Sequence, residues 1–260
     1  MLAPLRPPAM QPILHENETF DLLWGDRVGL VQARKGYRTS VDSLALAWFG
    51  VRIARQLGLT VEHLADLGAG TGLVAITAGL ALPLAHLHLY ELQPQLADRA
   101  RRNLDYNGLV ARSTVQNLDL AVDLPLVADL VLCNPPFRLY PDQPPPDPER
   151  RLAHFDAGLA LPTFMNALQH AIGAEGVGCL VYPWKQRQRL ADAMQQSNIT
   201  MQFWPLRHRP ADAEPVRVLA VLRRGPQPPP TPLSLHCDGQ LDSQFAPELA
   251  EFIESLHRTA

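Results

Sequence analysis

The stretch ADLGAGTGL, residues 65–73, joins two apolar runs through three alternating glycines. The run before it, HLADLG (63–68), has the length of a buried strand, and the apolar run after it is typical of a helix. Gly68, Gly70 and Gly72 therefore stand where a strand ends and a helix begins. Because glycine has no Cβ, the backbone can approach a ligand closely there, and the helix start adds free N–H groups. The stretch predicts a ligand-binding turn.

Two acidic residues follow at the ends of the next predicted strands. Glu91 ends HLHLYE (86–91), about twenty residues after the glycines, and Asp119 lies in NLDL (117–120). Either residue alone could be a helix cap or a turn residue. Together, in this order, they favour a nucleotide, with Glu91 on the ribose hydroxyls and Asp119 near an adenine amino group. The third glycine of the dinucleotide fingerprint is missing, which disfavours a dehydrogenase.

Strand and helix patterns alternate along the rest of the chain. The predicted strands include DLVLCN (129–134), GVGCLVYP (176–183) and EPVRVLAVLRR (214–224), and the predicted helices include 96–109, 161–172 and 185–197. Repeated strand–helix units imply a mostly parallel sheet. We therefore expect an α/β fold, a single Rossmann-like domain with a mostly parallel seven-stranded sheet and helices on both faces.

The prolines divide the chain, since they concentrate at 4–12, 141–148 and 226–232. We expect a flexible proline-rich leader over 1–27 and one domain over 28–253. That domain would consist of an N-terminal extension, a catalytic core and a tail, at 28–60, 61–224 and 225–253. The extension is predicted to form a short hairpin that leads into a helix over 29–50.

Composition excludes some classes of protein. The net charge of −3 and the pI near 6.3 give no global basic field, so a polyanion would need a local patch. Cys133, Cys179 and Cys237 are scattered, which fits a reducing compartment and argues against a zinc site. The prolines near the N-terminus are unlike a signal peptide, so we expect a cytoplasmic protein.

One charge-free stretch, from Leu67 to Tyr90, exceeds the ~20 residues of a membrane span. Its glycines, Pro83 and two histidines interrupt it, however. Strand, turn, helix and strand explain the stretch better, and no membrane partner is expected.

A second turn follows the strand at 129–134, where the sequence continues as NPPF. Asn134, Pro135, Pro136 and Phe137 can neither extend a strand nor pack simply into a core. Successive prolines fix φ and hold their neighbours in place. The alternative is a tight turn with a buried aromatic ring, but the turn lies downstream of the complete nucleotide pattern.

The two turns together resemble those of known enzymes. Asp66, with the three glycines, resembles motif I of the class I S-adenosylmethionine-dependent methyltransferases, and NPPF resembles their [N/D]-P-P-[Y/F/W] motif, found in amino-methyltransferases. The flanks GYRTSVDSLALAWF (36–49), PVRVLAVLRR (215–224) and 235–253 resemble the bacterial tRNA adenine-N6 methyltransferases that modify position 37 of a valine tRNA.

This resemblance implies S-adenosylmethionine as cofactor, bound through Asp66, Glu91, Asp119, Asp42 and the three glycines. Asn134 and the Pro135 carbonyl would accept the N–H groups of the target amine and turn its lone pair toward the methyl donor. Phe137 would stack on a flipped base. Tyr37 and Ser40 would lie, like Asp42, over the cofactor or the target base, although Asp42 could simply be an N-terminal helix charge.

The implied substrate is an adenine amine in structured RNA, most specifically tRNA. Basic groups that flank the predicted site, Arg38, Arg150 and Arg151 among them, are candidates for RNA contact, together with Tyr37. Three alternatives stay open: guanine-N2 methylation of rRNA, methylation of a protein glutamine, and a non-catalytic fold that only binds S-adenosylmethionine. The family more often has Tyr where this chain has Phe137, which would remove a hydroxyl contact but keep the stacking.

Overall fold

The computed structural model describes residues 12–36, 38–121, 126–139, 155–156, 160–194, 198–237 and 245–256. Tyr37, Arg150 and Arg151 lie outside these residues, as does most of the proline-rich loop at 138–151. The predicted leader is described only from residue 12 onward.

The described chain begins with an antiparallel hairpin of β1 (Glu18–Leu23) and β2 (Val28–Ala33). Its tip has positive φ at Trp24, Gly25 and Asp26. Ten more strands follow in the described residues: β3 (His63–Leu67), β4 (His86–Glu91), β5 (Ser113–Asn117), β6 (Ala128–Cys133), β7 (Arg138–Leu139), β8 (Phe155–Asp156), β9 (Ile172–Pro183), β10 (Thr200–Arg207), β11 (Arg217–Arg223) and β12 (Leu233–Ser234).

Eight of these strands form one mixed sheet in the order β12-β10-β11-β9-β6-β3-β4-β5, and β7 pairs with β8 separately. The five strands β9, β6, β3, β4 and β5 run parallel, and β11 is antiparallel to both β9 and β10. The expected α/β fold with a mostly parallel sheet is thus confirmed. The sheet has eight strands where seven were expected; the additional strand is the two-residue β12, which pairs with β10 at one edge.

Helices cover both faces of the sheet: α1 (Val41–Gln56), α2 (Leu73–Ala81), α3 (Pro94–Tyr106), α4 (Ala160–Ala171), α5 (Arg187–Ala193) and α6 (Pro247–Ser255). Apolar residues of α1, α2, α3 and α6 belong to one core cluster, and those of α4 and α5 to another. The charge-free stretch at 67–90 folds as strand, helix and strand. Among the described residues, no helix combines the length and the apolarity that crossing a bilayer requires.

The strand order reverses direction between β3 and β6. From β3 the chain builds β4 and β5 on one side, and then returns to build β6 and β9 on the other. In open α/β sheets ligands bind in the crevice outside the carboxyl ends of the strands at such a point. Leu67, the last residue of β3, is paired with Cys133, the last residue of β6. The residues that follow these two therefore leave the sheet side by side.

Two strands differ from the sequence-based expectation. β1 lies within residues 1–27, so the leader was predicted too long and the hairpin to begin too late. The buried charge of Glu18 hid this strand, because a carboxylate at a buried strand position is unusual in sequence. The other strand, β10, was not located because Pro205 interrupts its pattern, and proline argues against a strand interior.

The hairpin is held to the domain by Asn103 on α3 and by Asn107, the C-cap residue that directly follows α3. Asn103 accepts a hydrogen bond from the N–H of Val31 (2.6 Å) and donates to the carbonyls of Val31 (3.2 Å) and Thr71 (2.9 Å). Asn107 makes the equivalent pair with the backbone of Gly29 (3.1 and 2.8 Å). Because these amides satisfy the open edge of β2, they act as a substitute for a neighbouring strand. Through Thr71, Asn103 also joins the hairpin to the glycine turn.

Glu18 fixes the outer strand of the hairpin. Its carboxylate accepts hydrogen bonds from Arg99 Nε (2.8 Å) and from Arg102 Nη1 and Nη2 (both 2.8 Å), and its side chain is 3% exposed. Burial by itself raises the pKa of Glu18, but the hydrogen bonds from Arg102 and Arg99 outweigh it and lower that pKa to about 2. The ionised form is therefore the one that the fold stabilises.

Replacing Glu18 by glutamine is expected to lower the free energy of unfolding at pH 7 by about 3 kcal/mol, since it leaves two arginines without their shared anion. The carboxylate's contribution is complete above its unfolded pKa and is lost as the pH falls toward about 2. The difference between wild type and Glu18→Gln should therefore shrink by more than half at pH 3, as measured by urea unfolding. An equal difference at both pH values would contradict the assignment.

Candidate active site

The glycine turn follows β3 at the reversal point of the sheet. Gly68, Gly70 and Gly72 have φ of 73°, 58° and 84°, a region that disfavours side chains. The N–H groups of Gly68 and Ala69 donate to the carbonyl of Tyr90 (2.9 and 3.0 Å), which fixes the turn against the end of β4. The predicted turn between strand and helix is thus present, and its geometry requires glycine.

Glu91 orders this turn from the neighbouring strand. Its Oε2 accepts a hydrogen bond from the N–H of Gly70 (2.8 Å), and its Oε1 accepts one from Gln93, which precedes α3 (2.8 Å). The side chain is buried. A carboxylate oxygen can accept more than one hydrogen bond, so these contacts are compatible with an additional bond to a ligand hydroxyl.

Asp66 lies beneath the turn and is 1% exposed. Its Oδ2 accepts a hydrogen bond from the N–H of Ala75 in the first turn of α2 (3.1 Å). Burial raises the pKa of Asp66 to about 7, with a further increase from the charge of Glu91, although the bond from Ala75 lowers it in part. The structure therefore places Asp66 as a support of the turn, and a direct cofactor contact stays a prediction.

Asp119 lies two residues after the end of β5, on the surface. Its Oδ1 accepts a hydrogen bond from Ala121 (2.9 Å), and Oδ2 has no hydrogen bond within the described residues. The N–H of Leu118 donates to the carbonyl of Glu91 (3.1 Å), so this segment lies next to the end of β4. The glycines, Glu91 and Asp119 thus lie at the carboxyl ends of three adjacent strands. The exposed Leu92 adds an apolar surface at the same edge.

The NPPF turn leaves the sheet directly after β6. Pro135 and Pro136 are buried, and Asn134 and Phe137 are half-buried. Within the part of the chain that the structure describes, the Asn134 side chain makes no hydrogen bond. Since Cys133 is paired with Leu67, Asn134 stands beside Gly68. An amide with open acceptor capacity therefore adjoins the ligand-binding turn.

Phe137 has two aromatic or cationic neighbours. The ring of Tyr182, near the end of β9, meets it edge-on with 6.2 Å between centroids. The guanidinium carbon of Arg217 lies 5.3 Å from the centroid of Phe137. Both neighbours come from strands on the same side of the reversal point, and they define the orientation of the ring.

The predicted site residue Asp42 lies beside Arg217, one of the neighbours of Phe137. Its Oδ2 is 3.0 Å from both Nε and Nη2 of Arg217, and the residue is 5% exposed. Ser40 caps α1 by accepting from the N–H of Asp42 (3.3 Å). Asp42 is thus connected to the NPPF turn through Arg217, and a direct contact with the cofactor stays a prediction.

Arg38 interacts with the hairpin. Its Nη1 donates to Thr19 Oγ1 and to the carbonyl of Ala33, and its Nη2 donates to Asp21 Oδ2, all at 2.9 Å. Because these groups already engage the guanidinium, an RNA contact by Arg38 would have to share it.

Residues 184–187, which we name the rim segment, follow β9 beside the NPPF turn. The guanidinium of Arg187 stacks 4.2 Å above the ring of Trp184 and donates to its carbonyl (2.9 Å). Lys185 is 84% exposed and lies 3.9 Å from the exposed Glu214. The rim segment therefore presents an aromatic–cation pair and a solvated amine.

Sequence reasoning missed Arg217, Tyr182 and Trp184 as site residues. Arg217 is the first residue of β11, and an antiparallel strand brings its first residue to the edge where parallel strands end. A charge or an aromatic ring at the end of an apolar strand was the available signal. Its meaning depends on strand direction, which the sequence does not reveal.

The fit of S-adenosylmethionine can be judged from the chain itself. The glycine turn admits no side chain at Gly68, since an added Cβ would lie 2.7 Å from the Phe164 ring, so only bare backbone lines the turn there. The acceptor-rich strand ends beyond it suit a ribose and an adenine. Among the described residues, no group of three acidic, histidine or cysteine residues is arranged to hold a metal ion.

The chain is similar to known methyltransferases. Residues 53–143 match the family model described as "Methyltransferase small domain", which covers the glycine turn through the NPPF turn. The tRNA1(Val) (adenine(37)-N6)-methyltransferase of Yersinia pseudotuberculosis is 28% identical over 155 residues, 58% of each chain. The ribosomal protein uL3 glutamine methyltransferase of Bordetella pertussis is 36% identical over 80 residues, 30% of this chain and 27% of that one.

The chain thus aligns with less than two thirds of the length of the Yersinia relative. A crystal structure of a predicted O-methyltransferase from Agrobacterium tumefaciens has the same fold, with a TM-score of 0.61 and 20% identity over 84% of this chain and 98% of that one.

Proposed function

We propose, from the premise that this chain is a class I S-adenosylmethionine-dependent methyltransferase, that it methylates the exocyclic N6 amine of an adenine in cytoplasmic tRNA. The observation that carries the proposal is the position of Asn134. The register of β3 and β6 sets this amide next to the glycine turn, and its acceptor has no competing donor in the described residues.

The glycine turn, Glu91 and Asp119 would hold the cofactor along three strand ends. S-adenosylmethionine supplies an electrophilic methyl group when bound. Glu91 would accept hydrogen bonds from the ribose hydroxyls, Asp119 would accept one from the adenine amine, and Leu92 would pack against the adenine ring.

The NPPF turn would hold the substrate. An aryl amine is a poor nucleophile because its lone pair is delocalised into the ring. The Asn134 side-chain oxygen and the Pro135 carbonyl would each accept one N–H, which favours a tetrahedral nitrogen with its lone pair directed at the methyl group. Phe137 would stack on the base, and such stacking contributes ~1–3 kcal/mol.

The same acceptors would fit a guanine amine or a glutamine amide, and the similarity to a uL3 glutamine methyltransferase keeps the latter as a second candidate. The test is to incubate the protein with labelled S-adenosylmethionine and either total RNA or cell extract from a strain that lacks it. Mass spectrometry then identifies the product. N6-methyladenosine in tRNA supports the proposal, and N2-methylguanosine or a labelled protein contradicts it.

We further propose that the rim segment contacts RNA phosphates, together with the predicted Tyr37, Arg38, Arg150 and Arg151. The double variant Lys185→Gln/Arg187→Gln is expected to bind tRNA about tenfold more weakly, and to reduce the slope of log affinity against log salt by about one per cation removed. Titration at several salt concentrations measures both effects.

The matched control is Arg55→Gln/Arg224→Gln. Both arginines donate to backbone carbonyls at the opposite edge of the sheet, Arg55 to Ala81 and Arg224 to Ile172. If this control changes the salt slope as much as the rim variant does, the rim segment is not the contact surface.

A further inference from the structure

Arg217 connects two regions that are 175 residues apart in sequence, the start of α1 and the first residue of β11. Its Nε and Nη2 both lie 3.0 Å from Asp42 Oδ2, and its Nη1 donates to the carbonyl of Val216 (3.1 Å). All three nitrogens are therefore engaged, which fixes the plane of the guanidinium.

That fixed plane covers one side of Phe137, with the guanidinium carbon 5.3 Å from the ring centroid. Tyr182 contacts the ring edge-on. A cation within about 6 Å of a ring centroid is attracted by the electrons of its face. The arrangement both orients the ring and reserves one face, so that a base can stack only on the other.

We propose that the Asp42–Arg217 pair positions Phe137 for the target base, so that Arg217 is a positioning residue and Asp42 acts through it. The proposal rests on the proposed function, since it takes Phe137 as the stacking surface for the substrate. It assigns Asp42 to the part of the site that would hold the methylated substrate, whereas the resemblance in sequence implied that Asp42 binds the cofactor. It also gives the N-terminal extension a defined role, because α1 supplies the anion that holds Arg217.

The simplest rival is an ion pair that only ties α1 to β11. Both explanations predict some loss of stability when the pair is broken, because removing Arg217 alone leaves the buried Asp42 carboxylate unpaired. The pair is therefore removed as a unit, by Asp42→Asn/Arg217→Gln, so that both side chains are uncharged amides that can still bond to each other.

A double-mutant cycle between this pair and position 137 separates the two explanations. Relative to wild type, Asp42→Asn/Arg217→Gln is expected to lower kcat/KM for tRNA about tenfold and to leave the Kd for S-adenosylmethionine within about twofold. With Phe137→Ala also present, the same double change should have less than about a twofold effect. Equal losses with and without Phe137, or a weakened Kd for the cofactor, would overturn the proposal.

Two further variants calibrate this cycle. Arg217→Lys, with Asp42 retained, keeps a cation over the ring and is expected to avoid most of the loss seen in Asp42→Asn/Arg217→Gln. Arg223→Gln removes an arginine from the other end of β11, where it donates to the carbonyl of Pro226, and is expected to have no effect on kcat/KM. Failure of Arg217→Lys to retain activity would count against positioning by charge.

A readout without substrate keeps this test independent of the proposed function. The flip rate of the Phe137 ring, measured by NMR in protein carrying labelled phenylalanine, is expected to rise severalfold in Asp42→Asn/Arg217→Gln. An unchanged flip rate would refute the positioning role, whether or not tRNA is the substrate. Absence of tRNA methylation by the wild type, with a raised flip rate in the variant, would refute the proposed function alone.

Discussion

Asn134→Ala is expected to lower the single-turnover rate of methyl transfer by about 10²–10³-fold, while the affinity for S-adenosylmethionine changes by less than about twofold. The amide stands at the end of β6, where it would act on the amine in the transition state and not on the cofactor. Removing a hydrogen bond that forms only in the transition state lowers kcat and kcat/KM together. Single-turnover assays with labelled cofactor and tRNA, combined with calorimetric titration of the cofactor, measure both quantities.

Two variants control this prediction. Asn166→Ala makes the same change on the exposed surface of α4 and should leave the rate unchanged. Asn134→Asp keeps an oxygen acceptor, so it should retain more activity than the alanine variant. If Asn134→Ala methylates tRNA at the wild-type rate, the amine-orienting mechanism is wrong.

Gly68→Ala is expected to lower the free energy of unfolding by about 3 kcal/mol, from about 1–2 kcal/mol for a side chain at positive φ and a similar amount for overpacking. Gly68 has a φ of 73°, and an added Cβ would lie 2.7 and 2.9 Å from the Cε1 and Cζ atoms of Phe164. Since the turn would have to shift, the affinity for S-adenosylmethionine should fall at least tenfold. Thermal unfolding and cofactor titration measure the two effects.

The chain offers a matched control for each of the two contributions, the strain of a side chain at positive φ and the clash with Phe164. Gly58, just after α1, has a φ of 67° with no atom within 4 Å of an added Cβ, so Gly58→Ala isolates the conformational part at about 1 kcal/mol. The pair Gly68→Ala/Phe164→Ala removes the clash and should be less destabilised than the sum of its single variants. Equal effects of Gly58→Ala and Gly68→Ala would show that the contact with Phe164 is unimportant.

Much of the fold could be predicted because its signals are local. The strand, turn and helix around Gly68 follow from apolar runs of the right length and from three glycines that the structure shows at positive φ. α3 ends at Tyr106, just before Asn107 and Gly108, which form a local helix stop signal near the end of the predicted helix at 96–109. β1 was missed because its buried carboxylate makes sense only with Arg99 and Arg102, which lie more than 80 residues away.

The site residues also fall into those that the sequence predicts and those that it does not. Because the carboxyl ends of parallel strands share one edge, the sequence predicts the order of Gly68, Glu91 and Asp119 along successive strand ends, together with the amide and ring of NPPF. It does not predict which residues contact them. Arg217 reaches this edge only because β11 runs antiparallel, and Asp42 meets it only because α1 begins at the same edge.

The sequence by itself therefore determined the class of fold, the two turns and the kind of chemistry they would support, since each depends on backbone preferences within a few residues. Only the tertiary structure decided that Glu91 holds the glycine turn, that Asp66 supports it from below, and that Asp42 pairs with Arg217, whose guanidinium lies over Phe137. Hydrogen bonds between distant segments depend on strand direction and register. These are set by packing of the whole core, which no local stretch of sequence specifies.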